Sequence, residues 1–184
     1  RGSPILDFDP DAARARIEAL GWVRQAAVAR RLPDVVYLRI DERVPLALWQ
    51  RNGSLQLVDR EGAVIQKQNI ASFAGLPLIV GDDAPQHAAD LLGLLTAFPE
   101  IATQVDAAIR VSGRRWNLRL KSGIDIRLPE NGVAPALGRL ADLHRTQQVL
   151  DRDVIAVDLR KPDRLIVRMT PEARERLGRD GKNT

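Results

Sequence analysis

An α+β fold is what this 184-residue sequence predicts: a helix-plus-hairpin unit, then a mixed, mostly antiparallel sheet with helices packed on it. Three patterns carry the expectation. A capped helical stripe is followed at once by two segments that alternate apolar and polar residues. Turn signals then separate many short apolar segments. Two longer stretches with apolar residues at helical spacing interrupt those strands.

Asp9 before Pro10 supplies an N-cap and a first-turn proline. Ala13, Ile17 and Leu20 recur at helical spacing, and Gly21 is expected to close the helix. Two strands, 23–30 and 35–42, flank a turn at Arg31-Leu32-Pro33-Asp34. In the second, Val36, Leu38 and Ile40 alternate and are expected to face inward. One helix on one hairpin is marginal by itself, so the unit reads as incomplete. Trp22 and Trp49 are expected to pack at its two ends, Trp49 linking it to the β domain.

Short strands at 46–49, 55–58 and 63–65 are separated by Asn52-Gly53 and Asp59-Arg60-Glu61-Gly62, both turn signals. Residues 66–76 read as loop, and Leu78-Ile79-Val80 as a strand stopped by Gly81. Asp82 or Asp83 then caps a helix over 85–98, with Ala88, Leu91, Leu92 and Leu95 on one stripe. Strands 105–111, 116–120 and 124–128 form a meander in which Trp116, Leu118 and Leu120 oppose Ile124, Ile126 and Leu128. A second helix covers 134–150, with Leu137, Leu140, Ala141 and His144 along one side.

Residues 153–170 read as a terminal hairpin. Ile155, Val157 and Leu159 share one face of its first strand, and Leu165, Val167 and Met169 one face of its second. Arg164, Ile166 and Arg168 take the other side, and Lys161-Pro162-Asp163-Arg164 supplies a tight turn. Residues 171–182 form a charged tail with one helical turn or two. Nothing in the later chain covers the last strand. Such an edge leaves a row of N–H and C=O groups with which another chain can pair. Alternation alone does not fix which of its N–H groups point outward.

Composition removes several functions. The net charge of +4 invites a polyanion, but the arginines are spread singly among Asp and Glu. Aromatic residues make up only 4%, too few for a stacking platform. Without cysteine there is no disulfide scaffold or thiol chemistry. No window approaches the roughly 18 apolar residues of a membrane helix, and the longest apolar run, 70–81, is broken by Gly75 and Pro77. No signal-peptide pattern occurs, and the opening Arg1-Gly2-Ser3 is that expected of a fragment. His87 and His144 stand apart, no metal-ligand spacing appears, and nucleophile-elbow, P-loop and dinucleotide motifs are missing. The expectation is a binding module with no catalytic residue, cofactor or metal.

The run from Trp22 to Trp49, WVRQAAVARRLPDVVYLRIDERVPLALW, closely resembles the end of the first periplasmic domain of the FtsQ/DivIB cell-division family. Leu57-Val58-Asp59 with Gly62 and Val64-Ile65 follow in family order. So do Leu76-Pro77-Leu78 with Gly81, Arg115-Trp116-Asn117-Leu118 with Gly123-Ile124, Leu128-Pro129, and Val157-Asp158-Leu159-Arg160. The likeness covers about residues 5–170. It implies a single-pass protein of the bacterial inner membrane with this region in the periplasm. Here 1–44 would be the C-terminal part of a POTRA domain, 45–170 the β domain, and 171–184 a charged tail. The membrane helix and the first strand and helix of a POTRA domain have no counterpart in this sequence.

The resemblance also implies a non-enzymatic scaffold that binds FtsB and FtsL among other division proteins. Its partner-binding residues would be Arg160, Lys161, Arg164, Leu165, Ile166, Val167, Arg168 and Met169. Arg114 and Arg115 match a basic position that the family uses near the same surface. A general POTRA-type chaperone or translocation module is the alternative, and a polyanion binder a weaker one.

Overall fold

A computed structural model describes residues 7–65, 70–173 and 175. The first helix, α1 (Pro10–Glu18), starts where its cap predicts: the Asp9 carboxylate accepts the N–H groups of Asp11 and Ala12 at 2.9 and 3.2 Å. It ends at Glu18 with Ala19 as a right-handed C-cap, so Gly21 lies in the following turn and does not close it. Strands β1 (Val23–Arg31) and β2 (Val35–Glu42) pair antiparallel as a separate two-stranded sheet, and α1 packs on β1.

The inward orientation expected of Val36, Leu38 and Ile40 does not hold. They are 43%, 49% and 37% exposed, and Tyr37 between them is exposed too. A period of two identifies a strand, but it cannot supply the layer that would cover it. The nine-residue α1 reaches only β1, which leaves β2 wet on both faces among the described residues.

The second sheet holds β3 (Pro45–Arg51), β4 (Ser54–Asp59), β5 (Val64–Ile65), β6 (Leu78–Val80), β7 (Val105–Val111), β8 (Arg115–Leu120), β9 (Asp125–Arg127), β10 (Val154–Asp158) and β11 (Ile166–Met169). Their order across the sheet is β11-β10-β9-β8-β7-β6-β3-β4-β5. The pairs β3/β6, β6/β7 and β9/β10 are parallel and the others antiparallel, so the sheet is mixed and mostly antiparallel as expected. Parallel neighbours need a crossover. Helix α2 (Ala84–Leu95) and the four-residue α3 (Pro99–Ala102) provide it between β6 and β7, and α4 (Val133–Gln147) between β9 and β10.

The two expected helices are each cut short. The first ends at Leu95, three residues before Phe98, with the separate α3 following from Pro99, and α4 stops where Gln148 turns left-handed, followed by a 3₁₀ turn at Val149–Asp151. Within the expected loop, Ile70–Phe73 forms one 3₁₀ turn, while 66–69 lie outside the described residues. Asn52 and Gly53, at φ 50° and 78°, make the two-residue hairpin turn their sequence announces. Gly81 is required where β6 ends: its φ is 125°, and a Cβ there would lie 2.7 Å from the Cβ of Arg110.

These three helices lie on one face. Trp116, Leu118 and Leu120, with Ile124, Ile126 and Leu128, are buried there against Ala88, Leu91 and Leu95 of α2 and Leu137, Leu140 and Ala141 of α4. On the opposite face a smaller cluster, Leu48, Leu57 and Ile65, is covered by Trp22, Ile70, Phe73 and Leu76. Among the described residues, that second face stays open from β8 to β11.

The tryptophans exchange roles relative to expectation. Trp49 belongs to the helix-side core of the β domain and donates its Nε1–H to the Gly81 carbonyl at 2.8 Å. Trp22 packs on the β3–β5 cluster and joins the two units. Its carbonyl accepts the Arg43 N–H at 2.9 Å, and the Arg43 guanidinium pairs with Asp59, which is 1% exposed. The other Asp59 oxygen accepts the Ala63 N–H, so the buried carboxylate is fully engaged.

Trp49→Ala is expected to lower unfolding free energy by about 3–5 kcal/mol in a urea titration. Arg43→Ala, which strands the buried Asp59 carboxylate, should cost about 3 kcal/mol. Trp49→Ala should weaken the β domain itself, whereas Arg43→Ala should also raise amide exchange in β1 and β2.

Candidate partner-binding edge

The nine-stranded sheet ends at β11, which among the described residues pairs with β10 alone. Its burial follows the expected alternation: Val167 and Met169 are half-buried toward the helix side, while Ile166 and Arg168 are exposed on the open face. Val167 and the preceding Leu165 pack against the main core.

The joining segment differs from the tight turn expected at Lys161-Pro162-Asp163-Arg164. Pairing runs from Asp158 opposite Ile166, so residues 159–165 form a wider loop with bends at 161–163. Leu159 is fully buried and Leu165 half-buried, and these two anchors hold the loop's ends apart. In β10 a register shift between Val154 and Ala156 breaks the expected trio. Val157 and Leu159 are buried, but Ile155 is 41% exposed and Val154 takes its place in the core.

Hydrogen-bond directions on the edge follow from two contacts. The Leu159 N–H donates to the Arg127 carbonyl on the β9 side at 2.9 Å. By alternation Val157 also addresses β9, and Ala156 and Asp158 address β11. Their partners are Arg168 and Ile166, whose N–H groups therefore point inward. The Thr170 N–H, donating to the Asp153 carbonyl at 3.0 Å, continues the same set. Val167 and Met169 are left with N–H groups directed away from the sheet.

The charged residues of the hairpin are not equivalent. Arg160 closes back on Asp158: its backbone N–H, Nε and Nη2 all donate to that carboxylate. Arg127 Nη1 lies 3.9 Å from the same group on the far side. The Arg160 hydrogen bond pulls the Asp158 carboxyl below its ordinary range, against an opposing push from burial, and Asp158 in turn raises Arg160. Arg164 sits 3.7 Å from the neighbouring Asp163, and Lys161 is exposed in the bend.

Arg114 lies in the turn after β7, its Nε 4.0 Å from Glu130 Oε2, and Arg115 opens β8 opposite Val111. They lie at the end of the sheet where β9 and β10 finish and β11 begins. Three strand spacings of about 4.8 Å place β8 roughly 14 Å from β11. Neither arginine touches the hairpin directly. Arg110, which sequence reasoning passed over, is the better-anchored cation nearby: it stacks 5.4 Å over Trp116 and donates to Asp83 and to the Gly113 carbonyl.

Asp83 itself corrects an expectation. It stands at the N-cap of α2, but its carboxylate makes no cap hydrogen bond and instead takes Arg110, with His87 Nε2 at 3.7 Å. His144 lies half-buried on α4, far along the chain from His87. Among the described residues no group of three or more His, Cys, Asp or Glu side chains is placed to hold a metal ion, and no helix is long and apolar enough to cross a membrane.

A helix-and-hairpin unit docked on a mixed sheet with one helical face and one bare edge defines an α+β, two-sheet protein. Residues 1–43 match the family model for the POTRA domain, FtsQ-type, and residues 47–160 that for the C-terminal region of cell division protein FtsQ/DivIB. Cell division protein FtsQ of Bradyrhizobium diazoefficiens is 42% identical over 171 residues, 93% of this chain and 50% of that protein. Those of Rhizobium meliloti and Caulobacter vibrioides are 41% and 40% identical over 94% and 90% of this chain, and 56% and 55% of their own lengths. The chain belongs to the FtsQ/DivIB family of cell-division proteins. It spans about half the length of these curated relatives. The extracytoplasmic domain of DivIB from Geobacillus stearothermophilus aligns at a TM-score of 0.38 and 12% identity over 59% of this chain and 96% of that one, too loose a likeness to bear on the fold.

Because the Asp158 pKa is lowered on folding, its contribution is complete above the ordinary carboxylate range and is lost as pH falls through the lowered value. Amide exchange of Arg160 and the loop after it, corrected for intrinsic rates, should therefore accelerate as pH drops below about 4. Asp158→Asn should reproduce that loosened loop at neutral pH and remove the acid-induced change.

Proposed function

We propose that this region is a non-catalytic division scaffold that captures FtsB, and with it FtsL, by adding a strand of the partner to β11. The observation that carries the reading is the edge itself. In a chain of a cell-division family, β11 ends its sheet with the Val167 and Met169 N–H groups directed outward. Strand addition draws affinity from such main-chain groups and selectivity from alternate side chains. The partner surface comprises Arg160, Lys161, Arg164 and Leu165 to Met169, with Arg114 and Arg115 at the same end of the sheet.

In this reading residues 1–44 are the end of a POTRA domain, 45–170 the β domain and 171–184 a tail, of which 174 and 176–184 lie outside the described residues. The region works in the periplasm, held at the inner membrane by a segment outside this sequence, and uses no cofactor. A POTRA-type module that binds through its N-terminal unit is the second reading. It is favoured by the exposed Val36, Tyr37, Leu38 and Ile40 of β2. Deleting 160–184 should abolish FtsB capture in the first reading and spare partner binding in the second.

Proline scanning tests the edge directly. Proline removes an N–H and is tolerated only where that donor faces away from the sheet. Val167→Pro is expected to keep the circular-dichroism spectrum and melting profile of the parent while FtsB binding disappears in calorimetry. Ile166→Pro should destabilise the hairpin itself, since its N–H points to β10. A folded Val167→Pro protein that binds FtsB as tightly as the parent overturns strand addition at β11.

A further inference from the structure

We infer that the tip of the β1–β2 hairpin docks on an anionic lipid surface. Leu32 and Tyr37 enter the headgroup region, and Arg31 and Arg39 meet the lipid phosphates. The inference rests on the proposed inner-membrane placement and is independent of strand addition at β11.

The hairpin is held at one end only. Its base, Val23 opposite Glu42, is fixed beside Trp22 and the Arg43–Asp59 pair. Helix α1 packs on β1 as far as Ala26, which is buried, and Val28, which is half-buried. Beyond them every residue from 29 to 40 is exposed. From its base the strand runs over 23–31 to Arg31 opposite Val35, so at about 3.3 Å per residue the tip stands roughly 26 Å from the junction.

Pairing sorts the residues of this arm by face. Ala26, Val28 and Arg30, opposite Ile40, Leu38 and Val36, share the side on which α1 lies. Arg31, Ala29 and Ala27, opposite Val35, Tyr37 and Arg39, share the other. On that side Tyr37, the sole tyrosine, has only the Ala29 methyl group across from it and is 66% exposed. Val35 and Arg39 flank it along the strand, and Leu32 tops the arm at 67% exposure. Arg31 has no ion pair among the described residues, and exposed Arg39 lies 3.7 Å from Asp41. Over 30–39 stand three arginines and one acid, Asp34.

A leucine, a tyrosine and arginines on long stems are the residues that favour a bilayer interface. The leucine and the tyrosine ring gain by leaving water, while the phenol oxygen and the guanidinium groups stay among hydrated headgroups. Arginine meets a phosphate through a planar fork of donors. The arm is convex, so it offers no recess to hold the side chain of a folded partner. A lipid surface yields around an inserted residue and needs none. So few apolar residues and cations give weak attachment by themselves. On a chain already held at the membrane the surface is always near, and a weak contact is then enough to orient the N-terminal unit.

The chain has no cysteine, so Leu32→Cys can carry an environment-sensitive fluorophore at the tip, and Ser122→Cys can carry it in the exposed β8–β9 turn as a control. With vesicles of equimolar phosphatidylcholine and phosphatidylglycerol at low salt, the tip label is expected to shift to the blue and the control label to stay. Vesicles of phosphatidylcholine alone, or high salt, should suppress the shift. In co-sedimentation of the unlabelled chain with the anionic vesicles, Arg31→Glu with Arg39→Glu should weaken binding about tenfold, and Tyr37→Ser less. Because these side chains are exposed, both variants should keep the parental circular-dichroism spectrum and capture FtsB like the parent. A parent chain that does not sediment with the anionic vesicles overturns the inference. So does a control label that shifts as much as the tip label, or a charge-reversed arm that binds as the parent does. None of these results bears on FtsB capture, and fractionation of the full-length protein with the inner membrane tests the placement separately.

Discussion

The sheet has apolar side chains enough for one full layer of helices and not for two. From β8 through β10 the residues on one side are Leu118, Ile126 and Val157, each fully buried, and on the other Arg119, Asp125, Arg127 and Asp158. Strand alternation commits the first set to α2 and α4 and the second to water. Helices occupy the β6–β7 and β9–β10 crossovers and stay on the one face. The β3–β6 connection runs through β4, β5 and the 3₁₀ turn Ile70–Phe73, which packs on the other. A sheet covered in this way cannot close on itself, so it must end at two edges.

The two edges are handled differently. At one end β5 is a two-residue strand, too short to template much pairing, and the nearby face is packed under Trp22. At the other, β11 is longer and twice over guarded: Arg168 projects on its open face, and the Asp158–Arg160 bracket fixes its approach. Charged edge residues are a usual defence against unplanned pairing. The same exposed arginine would also disfavour an incoming strand that carries a positive charge directly opposite it.

How much of this the sequence disclosed depended on whether the signal was local. The meander was legible because Trp116, Leu118 and Leu120 face Ile124, Ile126 and Leu128 across a short turn, and both trios are buried. Asn52-Gly53 and the Asp9 cap were legible for the same reason. The insertion of β6 between β3 and β7 was not, since three apolar residues carry no record of their neighbours. Nor was the exposure of Val36, Leu38 and Ile40, because apolar alternation records a preference for cover and not the presence of it. At the candidate edge, the strand and its faces were readable. The outward N–H set required the β9 contact of Leu159, and the bulge that expels Ile155 leaves no mark in a β-branched run.

Arginine-rich sequence was the least informative part, and the structure sorts it by what each guanidinium touches. Arg43 meets a carboxylate that is almost fully buried, so it ties the N-terminal unit to the β domain. Arg110 is 10% exposed between Trp116 and Asp83, and its role is to hold the β6–α2 connection against β7. Arg160 is tied to its near neighbour Asp158 and orders a loop. Composition counts these as equal contributions to one net charge. The ion pairs offset much of their charge locally, whereas Arg168 on β11 is exposed and has no ion pair among the described residues. A net positive charge spread over paired arginines argues first for internal order and only weakly for a polyanionic partner.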